Sequence, residues 1–183
     1  MCADRGGVDG SDSRPCVGRG PSYRDARVAM IAGMNYELFM REALAEARLA
    51  GSRGSPAVGA IAVMDEAMVA RGSNRVAEAS DPTAHAVILA LREAARKLGT
   101  PRLSDVTIFT TLEPCAMCVG AMLECDAVAL VYAAPNPIDG AAGSVVQLAQ
   151  HPSLGRRLQV VSGICREEAE ELTGAVEQVP SGA

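Results

Sequence analysis

The segment Pro114-Cys115-Ala116-Met117-Cys118 constrains this chain more than any other. It follows a β-branched run and opens an apolar stretch. Two cysteines are thereby set one turn apart at the start of a helix, with Pro114 in the first turn. Helix dipole and free N–H groups at such a place favour negative sulfur. A histidine, His85, stands near the start of the preceding helical stretch, in Asp81-Pro82-Thr83-Ala84-His85-Ala86. If the two helix starts meet at one sheet edge, two thiolates and one imidazole can share one ion. That donor set suits zinc. Three protein ligands leave a fourth position open, which is the catalytic arrangement rather than the structural one. Each part alone reads otherwise as easily: a lone His as a core or surface residue, a cysteine pair as buried thiols or a redox couple. A thioredoxin-like pair meets a specific objection, because the chain has no Trp. Six cysteines in an intracellular chain of 183 residues fit metal binding better than a disulfide framework.

The pattern around the pair sets the fold class. A helical face is predicted over Asn35 to Leu49, strands over Ala57 to Met64 and Met68 to Ser73 with a turn at Asp65-Glu66, and a helix over Thr83 to Leu98. A strand over Val106 to Thr111, a helix over Cys115 to Cys125 and a strand over Ala127 to Ala133 follow. Then come a short helix over Val145 to Gln150, a strand over Leu158 to Val161 and a charged helix over Arg166 to Glu177. Strands alternating with helices predict an α/β protein, a three-layer sandwich with a partly parallel sheet.

With these segments in place, the chain resembles the zinc-dependent cytidine deaminase-like superfamily, and within it the bacterial tRNA adenosine deaminases. The resemblance rests on His85-Ala86, on Thr111-Leu112-Glu113-Pro114-Cys115-Ala116-Met117-Cys118, on Ser73-Asn74-Arg75 and on Gly140-Ala141-Ala142-Gly143-Ser144. It covers roughly residues 35 to 173. It implies an α/β/α fold with a five-stranded mixed sheet, one Zn2+ per chain on His85, Cys115 and Cys118, and substrate contacts from Asn74, Ala86 and Pro114. It also implies hydrolytic removal of ammonia from an amine-bearing nucleobase, by water that the zinc activates, in a homodimer.

The chain departs from the family's His-Ala-Glu at one position and reads His85-Ala86-Val87. In the family that Glu is the general acid and base, not a ligand, and valine cannot move a proton. One such group is typically worth about 10²–10⁴-fold in rate. Catalysis by the family's route is therefore expected to be impaired. An inactivated deaminase is one reading, whether the change is natural or introduced. A non-catalytic, zinc-binding partner subunit is another, by analogy with the eukaryotic tRNA deaminase heterodimer, whose structural subunit carries Val at this position. The third is a deaminase with a substitute acid, for which Asp139 and Glu113 are the candidates, although a solvated loop charge and an ordinary motif residue are the simpler readings of the two.

Charge bears on the substrate. With 17 Lys+Arg against 22 Asp+Glu the net charge is −5, which argues against gripping nucleic acid by bulk charge. The last predicted helix is acidic where the bacterial tRNA enzymes carry aromatic and basic residues. Basic residues cluster instead at Arg92, Arg96, Lys97 and Arg102 and at Arg156-Arg157, without interleaved aromatics. Adenosine in tRNA and a free purine, pyrimidine or nucleoside are both retained as substrates. Residues 1–34 read as a disordered leader or added sequence, 35–178 as the zinc domain and 179–183 as a tail. No apolar run reaches membrane-spanning length and no signal-peptide core is seen, so a cytoplasmic location is expected.

Overall fold

The computed structural model describes residues 33–174. The expected leader through residue 32, the tail at 179–183 and the end of the last predicted helix lie outside the described residues.

Helix α1 (Tyr36–Ser52) opens the domain, its first turn capped by Asn35, whose side chain accepts from the Leu38 N–H at 3.1 Å. Strands β1 (Gly59–Met64) and β2 (Ala67–Ser73) form an antiparallel hairpin. Asp65 and Glu66 turn it with φ of 50° and 58°, the paired positive φ of a tight two-residue loop. A single turn of helix, α2 (Val76–Ala79), precedes α3 (Ala86–Leu98). Then come β3 (Thr107–Leu112), α4 (Ala116–Glu124), β4 (Ala129–Ala134), β5 (Gln159–Ser162) and α5 (Arg166–Thr173). The sheet order is β2-β1-β3-β4-β5. β1 runs antiparallel to β2 and β3, while β3, β4 and β5 are parallel to one another. This is the expected five-stranded mixed sheet.

Alternation along the strands builds the three layers. Ile61, Val63, Phe109 and Val131 face one side and pack with Phe39, Met40 and Leu44 of α1 and Ala169 of α5. Their neighbours Ala60, Ala62, Ile108 and Leu130 face the other and pack with Leu91 of α3 and Met122 of α4. Small residues bring α3 against the sheet. A Cβ on Gly72 of β2 would fall inside contact distance of the Ala86 carbonyl oxygen and lie 2.7 Å from the Ala90 nitrogen.

Three expectations are corrected. The helix expected from Thr83 begins at Ala86, because the Asp81 carboxylate accepts from the Thr83 N–H at 2.8 Å and the Thr83 hydroxyl at 2.7 Å and closes a turn there. The helix expected from Cys115 begins at Ala116, so Pro114 lies outside it rather than in its first turn. The helix expected over Val145 to Gln150 does not form. The Val145 and Val146 N–H groups both donate to Gly140 O at 3.1 Å, and Leu148 N–H to Ala141 O at 3.0 Å, so the connection between β4 and β5 folds back on itself. Two consecutive β-branched, exposed valines favour that outcome. The short helix α2 had no counterpart in the sequence reading.

Candidate metal centre and substrate cavity

Two helix starts meet at the same end of the sheet. His85 occupies the N-cap position of α3, with extended backbone (φ −68°, ψ 148°), and Cys115 occupies that of α4 (φ −71°, ψ 173°). Each residue thus leaves the helical path as its side chain reaches the gap between the helices. Cys118 follows one turn into α4 and is 2% exposed. His85 Nδ1 lies 3.6 Å from the sulfur of Cys115 and 3.6 Å from that of Cys118. All three donor atoms fall within 4.8 Å of one another. A tetrahedral zinc with Zn–S near 2.3 Å and Zn–N near 2.05 Å requires an S···N separation of about 3.6 Å. The donor set therefore fits zinc in chemistry and in spacing.

The thiols respond to this crowding in opposite directions. The neighbouring Cys118 thiol, against the effect of burial and with help from His85, lowers the Cys115 pKa to about 4. Cys118 is pushed far up by Cys115 and by burial. His85 is raised, chiefly by its hydrogen bond to Cys115 and against burial. The imidazole and the Cys118 N–H at the helix start both favour a thiolate at Cys115, the form in which sulfur binds a metal.

The donor atoms line a cavity of about 320 Å³. Val87, Ala86 and Pro114 line it beside them, and Val87 is 3% exposed. Asn74, just past the end of β2, lines it as well. Its Oδ1 accepts from the Val76 N–H at 3.1 Å, and its own N–H donates to Val58 O at 3.0 Å. Arg53, at the C-terminal end of α1, steadies the segment that carries Asn74 by donating to the Ser73 hydroxyl at 2.8 Å and lying 3.2 Å from the Glu78 carboxylate.

Glu113 and Asp139 also line the cavity, in different states. Asp139 is exposed and accepts from the Asn136 side-chain amide. Glu113 is 1% exposed, and its carboxylate accepts from Asn136 N–H at 3.1 Å, Ala142 N–H at 2.8 Å, Ser144 N–H at 3.0 Å and the Ser144 hydroxyl. Burial raises its pKa, and these four bonds outweigh burial and hold it below the ordinary carboxylate value. Asn136 and Thr110, which also line the cavity, and Arg53 are not singled out by the sequence. Asn136-Pro137 carried a turn signal that could have marked the loop, whereas Thr110 sits inside a strand and Arg53 just past a helix, with nothing local to single them out.

Comparison with known proteins agrees with this geometry. Residues 34–134 match the cytidine and deoxycytidylate deaminase zinc-binding region. A tRNA-specific adenosine deaminase of Bacillus subtilis (strain 168) is 36% identical over 139 residues, which are 76% of this chain and 86% of that protein. A chloroplastic tRNA(adenine(34)) deaminase of Arabidopsis thaliana is 47% identical over 112 residues, 61% of this chain but only 9% of that much longer protein. Among solved structures, one from a study of A-to-I editing by tRNA:A34 deaminases superposes with a TM-score of 0.72 at 39% identity, covering 74% of this chain and 98% of that one. A guanine deaminase from Nitrosomonas europaea superposes with a TM-score of 0.65 at 28% identity, covering 78% and 84%. A two-cysteine, one-histidine centre at the meeting of two helix starts, on a β2-β1-β3-β4-β5 sheet and with these relatives, makes the chain a member of the cytidine and deoxycytidylate deaminase zinc-binding family.

Proposed function

We propose that this chain is a deaminase-fold zinc protein that binds an amine-bearing nucleobase and hydrolyses it poorly, because Val87 stands where the reaction needs a proton carrier. The observation that carries the reading is one cavity lined at once by the three zinc ligands, by Asn74 and by Val87. The relatives are named for adenosine in tRNA and for guanine, which share a ring carbon bearing an exocyclic amine. His85, Cys115 and Cys118 would hold zinc, which would supply Lewis acidity and lower the pKa of a bound water to about 7.

The chain's own residues do the rest. Asn74 has its amide oxygen taken by Val76, so its NH2 group is the one that can donate to a ring acceptor. Ala86 and Pro114 present small or rigid walls that leave room for a planar ring. Val87 adds an apolar surface and excludes water, but it neither accepts a proton from the nucleophile nor delivers one to the ring or to the departing amine. Asp139 is the remaining acid in the cavity with an exposed carboxylate; Glu113 is occupied by its four donors. A homodimer and a cytoplasmic location complete the reading. The groove between α3 and α4, lined by Ile88, Leu91 and the 38%-exposed Met117, is an apolar face that a second copy could cover.

The decisive comparison is ammonia release by this chain and by Val87→Glu, each with guanine, adenosine and an anticodon stem-loop. The glutamate form should turn over at least one of these at least about 10²-fold faster. Equal and ready turnover by both forms would refute the account of Val87 and turn attention to Asp139→Asn. The apolar Val87 also favours a second reading, a zinc-binding subunit that supports a partner without chemistry of its own; inert behaviour of both forms would support that reading.

A further inference from the structure

Glu113 is a carboxylate buried to 1% exposure with no basic side chain among its hydrogen-bond partners. Burying such a group is costly unless it is fully hydrogen-bonded. All four of its donors come from one segment, 23 to 31 residues further along the chain. Oε2 takes the Asn136 N–H and the Ser144 hydroxyl, and Oε1 takes the Ala142 and Ser144 N–H groups. One carboxylate therefore pins both ends of the 136–144 loop.

The loop is shaped to receive it. At Gly140 a Cβ would lie 2.7 Å from the Glu113 carboxyl carbon, so only glycine lets the loop backbone lie on the carboxylate. The neighbouring Ala141 N–H donates to Pro114 O at 2.9 Å, tying the loop to the turn that carries Cys115. Asn136, at the first pinned end, and Asp139, between the ends, are the loop's two contributions to the cavity. Asn136 Oδ1 accepts from the Ile138 N–H at 3.1 Å and the Asp139 N–H at 3.3 Å, and its NH2 group donates to the Asp139 carboxylate. The connections run unbroken from Glu113 to the Asn136 backbone, from the Asn136 side chain to Asp139, and from Asp139 to the cavity.

We propose that Glu113 is a positioning residue: it latches the 136–144 loop as a wall of the cavity, so that Asp139 and Asn136 meet the bound base in a fixed orientation. The proposal rests on the nucleobase reading for its ligand, whereas the latch itself does not. Glu113→Gln keeps the volume but puts an NH2 group in place of one oxygen: with the amide oxygen on the Ala142 and Ser144 N–H groups and the Ser144 hydroxyl turned to accept from the NH2, the Asn136 N–H loses its acceptor.

The test uses the full zinc-loaded chain. Backbone amide exchange at Asn136 should quicken at least about 10-fold in Glu113→Gln, with zinc still at one per chain. In the Val87→Glu background, KM for guanine or adenosine, whichever is turned over, should rise at least about 10-fold while kcat changes less than about threefold. A role confined to folding would instead lower the active fraction, and with it kcat, at unchanged KM; that result overturns the proposal, as does unchanged amide exchange. Should Glu113→Gln not fold, Glu113→Asp, which keeps the charge and shortens the reach, is read in the same way. If Val87→Glu is inert, the dissociation constants of guanine and adenosine from the Val87 chain replace KM, with the same shift expected. Binding of none of guanine, adenosine and an anticodon stem-loop refutes the nucleobase reading and with it the substrate half of this proposal, while the latch is decided by the exchange result alone.

Discussion

Cys115 and Cys118 differ in burial, in helix position and in charge, and together they explain why the metal centre should be coupled to folding. Cys118 is 2% exposed and packs in the larger core cluster beside Val119 and Met122. Cys115 is partly exposed, at the helix start, and its thiol is held at about 4 by its neighbours. Without a cation the two sulfurs compete for one proton in a poorly hydrated place. With zinc both are thiolates and the competition ends. Cys115→Ala removes one ligand and leaves the remaining pair too weak to hold the ion. The variant should purify with less than about a tenth of a zinc per chain and lose the stability that binding contributes, because ligand affinity is folding free energy in such sites. Elemental analysis and thermal melting with and without added zinc check both halves. Full zinc occupancy in the variant, or a reversible Cys115–Cys118 disulfide in a zinc-free parent, would contradict the ligand assignment.

At the scale of elements, the placement of α3 decides whether His85 reaches the sulfurs. Gly72 lets the first turn of α3 lie against β2, and a methyl there would press on the Ala86 carbonyl and the Ala90 nitrogen. Gly72→Ala should cost about 1–3 kcal/mol as an overpacked contact. It should also weaken zinc binding, since Ala86 adjoins His85; urea melts and a competitive chelator titration measure the two effects. Wild-type zinc affinity in a destabilised Gly72→Ala chain would show that His85 is placed independently of the β2 contact. This contact was invisible in the sequence, where Gly72 is one glycine among several small residues. The strands and the ligand triad were legible because they rest on local signals: the β-branched run in Thr107–Leu112 and the spacing of Cys115 and Cys118. Helix starts were misread by one to three residues, since Asp81 and Thr83 close their own turn and Pro114 stays outside its helix. The 136–144 loop was least legible. Its conformation is imposed by Glu113 from a different part of the chain, and no window of neighbouring residues contains that information.

Across the whole molecule, the question is whether the surface can hold an RNA. The basic clusters that the sequence displays are largely neutralised in the fold. Arg96 and Lys97 both pair with Glu93, at 2.7 and 3.4 Å. Arg92 lies 3.8 Å from Asp81, Arg102 pairs with Asp126, and Arg156 reaches Asp126 at 3.0 Å and Glu124 at 3.3 Å. Most of these pairs are exposed, so they add little stability. Their effect is on the potential: the carboxylates of Asp81, Glu93, Glu124 and Asp126 offset most of the positive charge that phosphates would meet there. Helix α5 adds Glu167, Glu168, Glu170 and Glu171 against a single Arg166, itself paired with Glu170 at 2.6 Å. On a chain of net charge −5, these features leave little electrostatic attraction for a stem-loop. An anticodon stem-loop should therefore bind only in the non-specific range, with a dissociation constant of roughly 10⁻⁴–10⁻⁶ M at physiological salt and a steep loss of affinity as salt rises. A salt series by fluorescence anisotropy, run beside a scrambled loop of the same length, reads both quantities. Val87→Glu should leave the values unchanged, because it adds one carboxylate inside the cavity and none on the rim. Binding well below micromolar at physiological salt, with preference for the true loop over the scrambled one, would mean that the described surface understates the attraction. It would set tRNA ahead of free bases and nucleosides as the ligand of the zinc cavity.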